Sequence, residues 1–319
     1  MMYRIGIDLG GTNIKVGLVD EHQELIEEAF APTHAERPAE AVIADIADVI
    51  GRLLEKQAIT MEQVAGIGVG CAGMIDAKNG TVPYSNNLAW EDVAFAELLK
   101  KHLHCDCVVR ISNDANCAAL GEAKAGAAKG IENVVLLTLG TGIGGGVIID
   151  GKIFEGAHAG SVELGHTTLI CGGEPCTCGR KGCVEAYVSA TALIRDARRA
   201  ADNTPDSLMN RMMEANEGQM NGKIPFDAMQ QNDAAATEVI QRYFDYLAET
   251  IANFVNIFRP DIVLLSGGMC NQGKKLTDPL NDRLKKLCFG GEKSYIPPVA
   301  CASLGNLAGI LGAANLIEV

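Results

Sequence analysis

No stretch of the 319-residue chain approaches the roughly 18 uninterrupted apolar residues of a membrane-spanning helix, so no span is expected. Basic residues are scarce beside acidic ones: 27 Lys and Arg stand against 40 Asp and Glu, a formal net charge of −13. A protein that lives on nucleic acid carries a basic footprint, and this chain has none. Nucleic acid and anionic membrane surfaces are therefore not expected partners, and the acidity reads as a matter of solubility. The N-terminus lacks the basic region, apolar stretch and small-residue cleavage site of an export signal. The expected location is the cytoplasm. Low-complexity linkers are also missing.

What is present suits a sizeable globular protein. Apolar residues make up 48% and charged residues 21%, an ordinary balance. The length fits about two domains whose cores need no covalent staples. Eleven cysteines, an odd number, argue against a disulfide framework in a chain without an export signal. Four of them crowd between Cys171 and Cys183, which calls for a local explanation.

Apolar runs at Tyr3–Leu9, 14–19 and 24–31 read as strands. Ala39–Lys56 carries Val42, Ile43, Ile46, Val49, Ile50, Leu53 and Leu54 at a 3.6-residue period, a helix. Val64–Cys71 and 108–111 read as further strands and 114–129 as an Ala-rich helix. The pattern then restarts. Val134–Leu139 is a strand ending in a glycine run, and 147–150 follows as a second strand. An offset of 130 matches Leu9 with Leu139, Gly10 with Gly140 and Asp20 with Asp150, at the same strand–glycine–strand position. That placement makes an internal duplication plausible. After an insertion over 161–233 come a long helix at Ala234–Phe258, stopped by Pro260, a strand at 262–265 and a closing helix at 306–316. The chain reads as two similar α/β lobes with a cleft between them. Their expected limits are 1–115 plus 303–319 and 116–302.

Three strands end in small-residue turns: Asp8-Leu9-Gly10-Gly11-Thr12, the run Gly140-Thr141-Gly142 through Gly146, and Ser266-Gly267-Gly268. Glycine lets backbone N–H groups approach a ligand, and such concavities favour anions. One such turn could equally be a tight hairpin; three facing one cleft are better explained by a nucleotide. None fits GxxxxGK[ST], so this is not a Walker loop. Asp8, beside the first turn, could hold a magnesium ion near phosphates or cap its own turn. Asp114, opening a helix after a strand, suits an N-cap. It also suits a general base for a hydroxyl that attacks phosphorus, with Asn113 holding the same substrate.

His166, Cys176, Cys178 and Cys183 follow the spacing H-x9-C-x-C-x4-C, which suits a closed tetrahedral zinc site rather than a catalytic one, the alternative being reduced free thiols in a loop. Cys171 is then spare. Glu163 and Glu185 flank the loop, where carboxylates could accept sugar hydroxyls; Glu185 could equally serve a helix N-terminus.

These residues together resemble the ROK family of sugar kinases and related repressors, within the actin-like, ribonuclease H-like ATPase superfamily that includes hexokinases. The resemblance covers essentially the whole chain. Asp8-Leu9-Gly10-Gly11-Thr12 matches the first phosphate motif, residues 137–146 the second, and 265–268 the nucleotide-side glycines. Glu163-Leu164-Gly165-His166 matches the ExGH element. Cys176-Thr177-Cys178-Gly179-Arg180-Lys181-Gly182-Cys183-Val184-Glu185 matches the zinc element CxCGxxGCxE.

The resemblance implies that Asp114 is the base and that Asn113, Glu163, His166 and Glu185 hold sugar hydroxyls. It also places Asn87 and the Gly73 backbone against the sugar, and gives His166 a second role on zinc. It further implies ATP, Mg²⁺ and structural Zn²⁺, a 6-kinase acting on a hexose, glucose first, and a homodimer or homotetramer. One departure is Cys71-Ala72-Gly73-Met74-Ile75-Asp76, where the family often carries PGxxD; it leaves the floor of the sugar pocket and its selectivity open. Family repressors carry a helix-turn-helix ahead of the first phosphate strand, which here starts at residue 3, so an enzyme is expected rather than a regulator.

Overall fold

The computed structural model describes residues 2–158 and 160–318. Strands β1 (Tyr3–Leu9), β2 (Asn13–Val19) and β3 (Leu25–Pro32) form an antiparallel meander. Helix α1 (Ala39–Lys56) follows, with its apolar stripe fully buried. Then comes β4 (Val64–Cys71), parallel to β1.

Three short strands come next: β5 (Met74–Asp76), β6 (Thr81–Ser85) and β7 (Trp90–Val93). They make a small sheet of their own. Helix α2 (Phe95–Leu103) leads to β8 (Val108–Asn113), parallel to β4, and α3 (Asp114–Ala125). The main sheet is ordered β3-β2-β1-β4-β8.

The expected repeat is present. Strands β9 (Val134–Leu139), β10 (Ile143–Ile149) and β11 (Lys152–Ile153) precede a helical stretch, and with β12 (Ile262–Ser266) and β13 (Val299–Cys301) they form a second sheet ordered β11-β10-β9-β12-β13. The offset of 130 carries β2 onto β10 residue for residue. The strand expected at 147–150 in fact begins at Ile143, inside the glycine run. Those glycines are strand residues where neighbours come close: a methyl at Gly145 would meet Leu164, and one at Gly146 would lie 2.5 Å from the Ala115 carbonyl oxygen.

The stretch 161–233 contains α4 (Glu185–Val188), α5 (Ala190–Asn203), α6 (Leu208–Ala215) and α7 (Ile224–Gln230). The helix that Glu185 opens ends at Val188, and Ser189, whose hydroxyl accepts the Ala192 amide at 3.0 Å, starts a new N-terminus. Helix α8 (Ala234–Phe258) buries the row Val239, Tyr243, Leu247, Ile251 and Val255. Then follow β12 (Ile262–Ser266), α9 (Lys274–Leu287), β13 (Val299–Cys301) and α10 (Leu307–Ala314).

Two compact units result. The first holds the chain up to Leu136, Gly146–Val162 and everything from Ala302 onward; the second holds Leu137–Gly145 and Glu163–Cys301. The boundary expected at 115 falls inside the first unit, because α3 packs on α10 and β4 there. Glycines permit that packing. A methyl on Gly312 would lie 1.6 Å from the Cys117 carbonyl oxygen, and one on Gly68 would lie 1.7 Å from that of Ala313. Glu122 of α3, fully buried, anchors the approach to α10. Its carboxylate accepts the amides of Ser303 and Leu304, and also that of Ala127.

Candidate active site

In the first unit the residues singled out from the sequence gather at the carboxyl ends of β1, β4 and β8. Asp8 pairs with Lys15 across the β1–β2 register, and the Lys15 ammonium lies 2.9 Å from Asp8 Oδ2. Lys15 was not anticipated; the available signal is a single cation inside an otherwise apolar strand. The Gly10 amide closes the first turn on the Asn13 carbonyl at 3.1 Å. Gly11 lies so close to Asn87 that a methyl would come within 2.8 Å of its carbonyl oxygen. Thr12 and Asn87 are exposed. Asp8 Oδ1 accepts no protein donor among the described residues, which leaves an oxygen that a hard divalent cation could take.

Asn113 is the N-cap of α3: its Oδ1 accepts the amides of Ala115 at 2.9 Å and Asn116 at 3.4 Å. Capping therefore falls to Asn113, and Asp114 occupies the first helical position, its Oδ1 also receiving the Ala115 amide at 2.9 Å. Asn113 Nδ2 donates to the Gly73 carbonyl at 3.3 Å, so two residues expected at the sugar are joined. Gly73 has a φ of +131°, and a methyl there would strike the Tyr84 carbonyl oxygen at 2.6 Å. Burial pushes the Asp114 carboxyl above the usual carboxylate range, and the nearby Asp8 charge adds to this against the Ala115 hydrogen bond.

In the second unit, His166, Cys176, Cys178 and Cys183 present ligand atoms all within 4.8 Å of one another. His166 turns its Nδ1 toward Cys176 Sγ, 3.6 Å away, and Cys178 Sγ lies 3.7 Å from Cys183 Sγ. Zn–S bonds of about 2.3 Å give tetrahedral edges of about 3.8 Å, so the donor set fits that ion. Cys171 is exposed and lies outside the set. The loop is drawn together by backbone bonds from Cys176 to Arg180 and from Gly182 to Glu174. The Arg180 guanidinium also donates to the His166 carbonyl at 2.9 Å.

Glu163 sits one residue before the short turn Leu164–His166. Gly165 in that turn comes so close to the Ile143 carbonyl oxygen that a methyl would lie 2.2 Å from it. Glu185 Oε2 accepts the Ile143 amide at 3.0 Å, and Oε1 lies 3.0 Å from Thr177 Oγ1.

The second glycine turn lines a cavity of about 730 Å³ together with the third. Gly140, Thr141, Gly268, Met269, Asn221 and Lys275 are on its walls. Gly267 has a φ of +94° and rests on the Leu139 carbonyl, where a methyl would lie 2.5 Å away. Asn221, Lys223, Asp227 and Lys275 were not anticipated, because they come from the insertion and from α9, which carry no motif.

The fold is that of the actin-like, two-lobe α/β proteins to which the ROK sugar kinases belong. A ROK family glucokinase from Streptomyces griseus, solved with glucose and AMPPNP, aligns at 31% identity over 99% of both chains with a TM-score of 0.79. A ROK hexokinase from Thermus thermophilus aligns at 32% identity, covering 98% of this chain and 97% of that one, with a TM-score of 0.80. This chain belongs to the ROK family, whose pattern it matches over residues 4–319. A glucokinase from Thermotoga maritima is 36% identical over 322 aligned positions, 98% of this chain and 96% of that protein.

Proposed function

We propose that this protein is an ATP-dependent hexose kinase that phosphorylates the 6-hydroxyl of glucose. The observation that carries the proposal is Asp114: a half-buried carboxylate at a helix start, relieved of capping by Asn113, with its proton affinity raised. A base is most effective when its pKa lies close to working pH. In the proposed reaction Asp114 takes the proton of the sugar 6-hydroxyl. The hydroxyl oxygen forms a bond to the γ-phosphorus in line, and the bond to the β-γ bridging oxygen breaks, releasing ADP.

In this reading the sugar's ligands are Asn113, Asn87, the Gly73 backbone, Glu163, His166 and Glu185. The phosphates are assigned to Asp8, Gly10, Gly11, Thr12, Gly140, Thr141 and Gly142, and the nucleoside to Gly267 and Gly268. Mg²⁺, held near Asp8, would neutralise phosphate charge. Zn²⁺ on His166, Cys176, Cys178 and Cys183 would fix Glu185 and leave His166 Nε2 for the sugar. Support comes from the glucokinase relatives and from a donor set that fits tetrahedral zinc.

The test is an ADP-release assay with ATP and Mg²⁺ across glucose, fructose, allose, mannose, N-acetylglucosamine and N-acetylmannosamine. Turnover greatest with glucose is expected. A different preferred sugar keeps the chemistry and replaces the substrate. Binding of a sugar without turnover would overturn the kinase in favour of a sensor.

A further inference from the structure

The segment between β11 and Glu163 is fastened to the candidate base site at two points. Ser112, the residue before Asn113, is 1% exposed and donates its hydroxyl to Glu155 Oε1 at 2.8 Å. The Gly160 amide donates to the Ile75 carbonyl at 2.7 Å, on the strand that follows Gly73. Asn113 Nδ2 reaches the Gly73 carbonyl at 3.3 Å. These three hydrogen bonds tie Glu155 to the end of β8, Gly160 to β5, and the backbone before β5 to Asn113. Asp114 stands next to Asn113 in the chain.

We propose that Glu155 is a positioning residue for Asp114, fixing the β8–α3 junction through Ser112. The direction of the hydrogen bonds supports this. A carboxylate only accepts, so the Ser112 proton must point at Glu155, and the Ser112 lone pairs face Asn116 Nδ2, 3.5 Å away. Asn116 is also 1% exposed, and among the described residues its Oδ1 has no donor, so its side-chain amide is held through the contact with Ser112.

Stability does not explain the carboxylate. Among the described residues Glu155 has no basic partner within 4 Å, and it is half-buried. The charges of Asp114, Asp8 and Glu155 all bear on the buried Cys117 thiol, which burial raises first of all.

The inference rests on the kinase reading, and its test separates the two. Glu155→Ala and Ser112→Ala should each lower kcat about 10- to 100-fold, the range expected when a reacting group is misplaced by about 1 Å. KM for ATP should stay within about twofold, because uniform nucleotide binding is untouched. The double variant should be no worse than either single one, since both remove the same contact. Glu155→Gln keeps an acceptor oxygen for Ser112 and should restore most of the lost kcat. Unchanged kcat in Glu155→Ala, additive losses, or failure of Glu155→Gln to restore activity would each overturn the proposal. Should Glu155→Ala not fold, Ser112→Ala with Glu155 intact carries the same comparison.

If the wild-type protein turns over no sugar, the kinase reading fails on its own. The positioning claim is then read by hydrogen exchange. Faster exchange of the Ala115 and Asn116 amides in Glu155→Ala would support it, and unchanged exchange would overturn it.

Discussion

Glu185 accepts the Ile143 amide at 3.0 Å and thereby joins the second glycine turn to the cysteine loop, where its other oxygen lies 3.6 Å from Cys176 Sγ. The contact depends on Gly142, because a methyl there would lie 2.3 Å from Glu185 Oε2. Gly142→Ala should push the carboxylate away. Losing a hydrogen bond to a charged group costs about 1.5–3 kcal/mol, so KM for the sugar should rise about 10- to 100-fold. Metal content should not change. Steady-state kinetics beside metal analysis would check both.

The four-ligand cluster should hold about one zinc per chain, as closed structural sites do. Cys178→Ala should lower zinc content and weaken sugar binding together, because the loop that carries Glu185 loses its brace. Metal analysis and calorimetric titration with sugar would measure the two effects. A metal-free protein with full activity would remove zinc from the account.

Asp114→Asn should lower kcat by about 10²–10⁴-fold, the usual contribution of a general base, and should leave sugar affinity nearly intact. The folded carboxyl lies above its unfolded value near 4, so the acid form is favoured by folding. Stability from this group is fully present at low pH and is lost as pH rises through the folded value. At neutral pH the variant should therefore melt no lower than wild type. In wild type the acid limb of kcat should lie above the ordinary carboxylate range, and a pH–rate profile reads it directly.

Gly312→Ala should destabilise the protein by about 1–3 kcal/mol or more, the cost of overpacking a rigid site. Its methyl would fall 1.6 Å from backbone that cannot swing aside. Gly309→Ala should do something different. That methyl would lie 2.9 Å from Asp8 Cγ, so nucleotide-dependent turnover should fall more than the melting temperature. Thermal unfolding and kinetics on the two variants would separate them.

The parts of the fold legible in the sequence were those with dense, regular signals. Tyr3–Leu9, Val64–Cys71 and Val134–Leu139 are apolar runs, and α1 and α8 keep a helical period over many turns, so their limits match. The strands β5, β6 and β7 were not legible. They are short and mixed in polarity, as Thr81-Val82-Pro83-Tyr84-Ser85 illustrates, and exist because they pair with one another. Glycines were read as turns, although Gly145 and Gly146 are strand residues flattened against neighbours. At the site, the motif residues were legible because their chemistry is distinctive. Lys15 and Glu155 were not, since each gains its meaning from a partner on another strand or segment.

The packing of α10 on β1 and β4 also dictates an order of events during synthesis. A methyl on Gly6 of β1 would lie 2.0 Å from the Ile310 carbonyl oxygen, so β1 is covered by a helix about 300 residues further along the chain. A chain emerging from the ribosome exposes this face of its first sheet until residue 314 is made. Contacts so distant in sequence close slowly, and the open face is a surface for chaperones or for other nascent chains. The strand bearing Asp8 is thus translated long before the helix that covers it, and proteolysis or ribosome stalling between β1 and α10 leaves that strand unfinished.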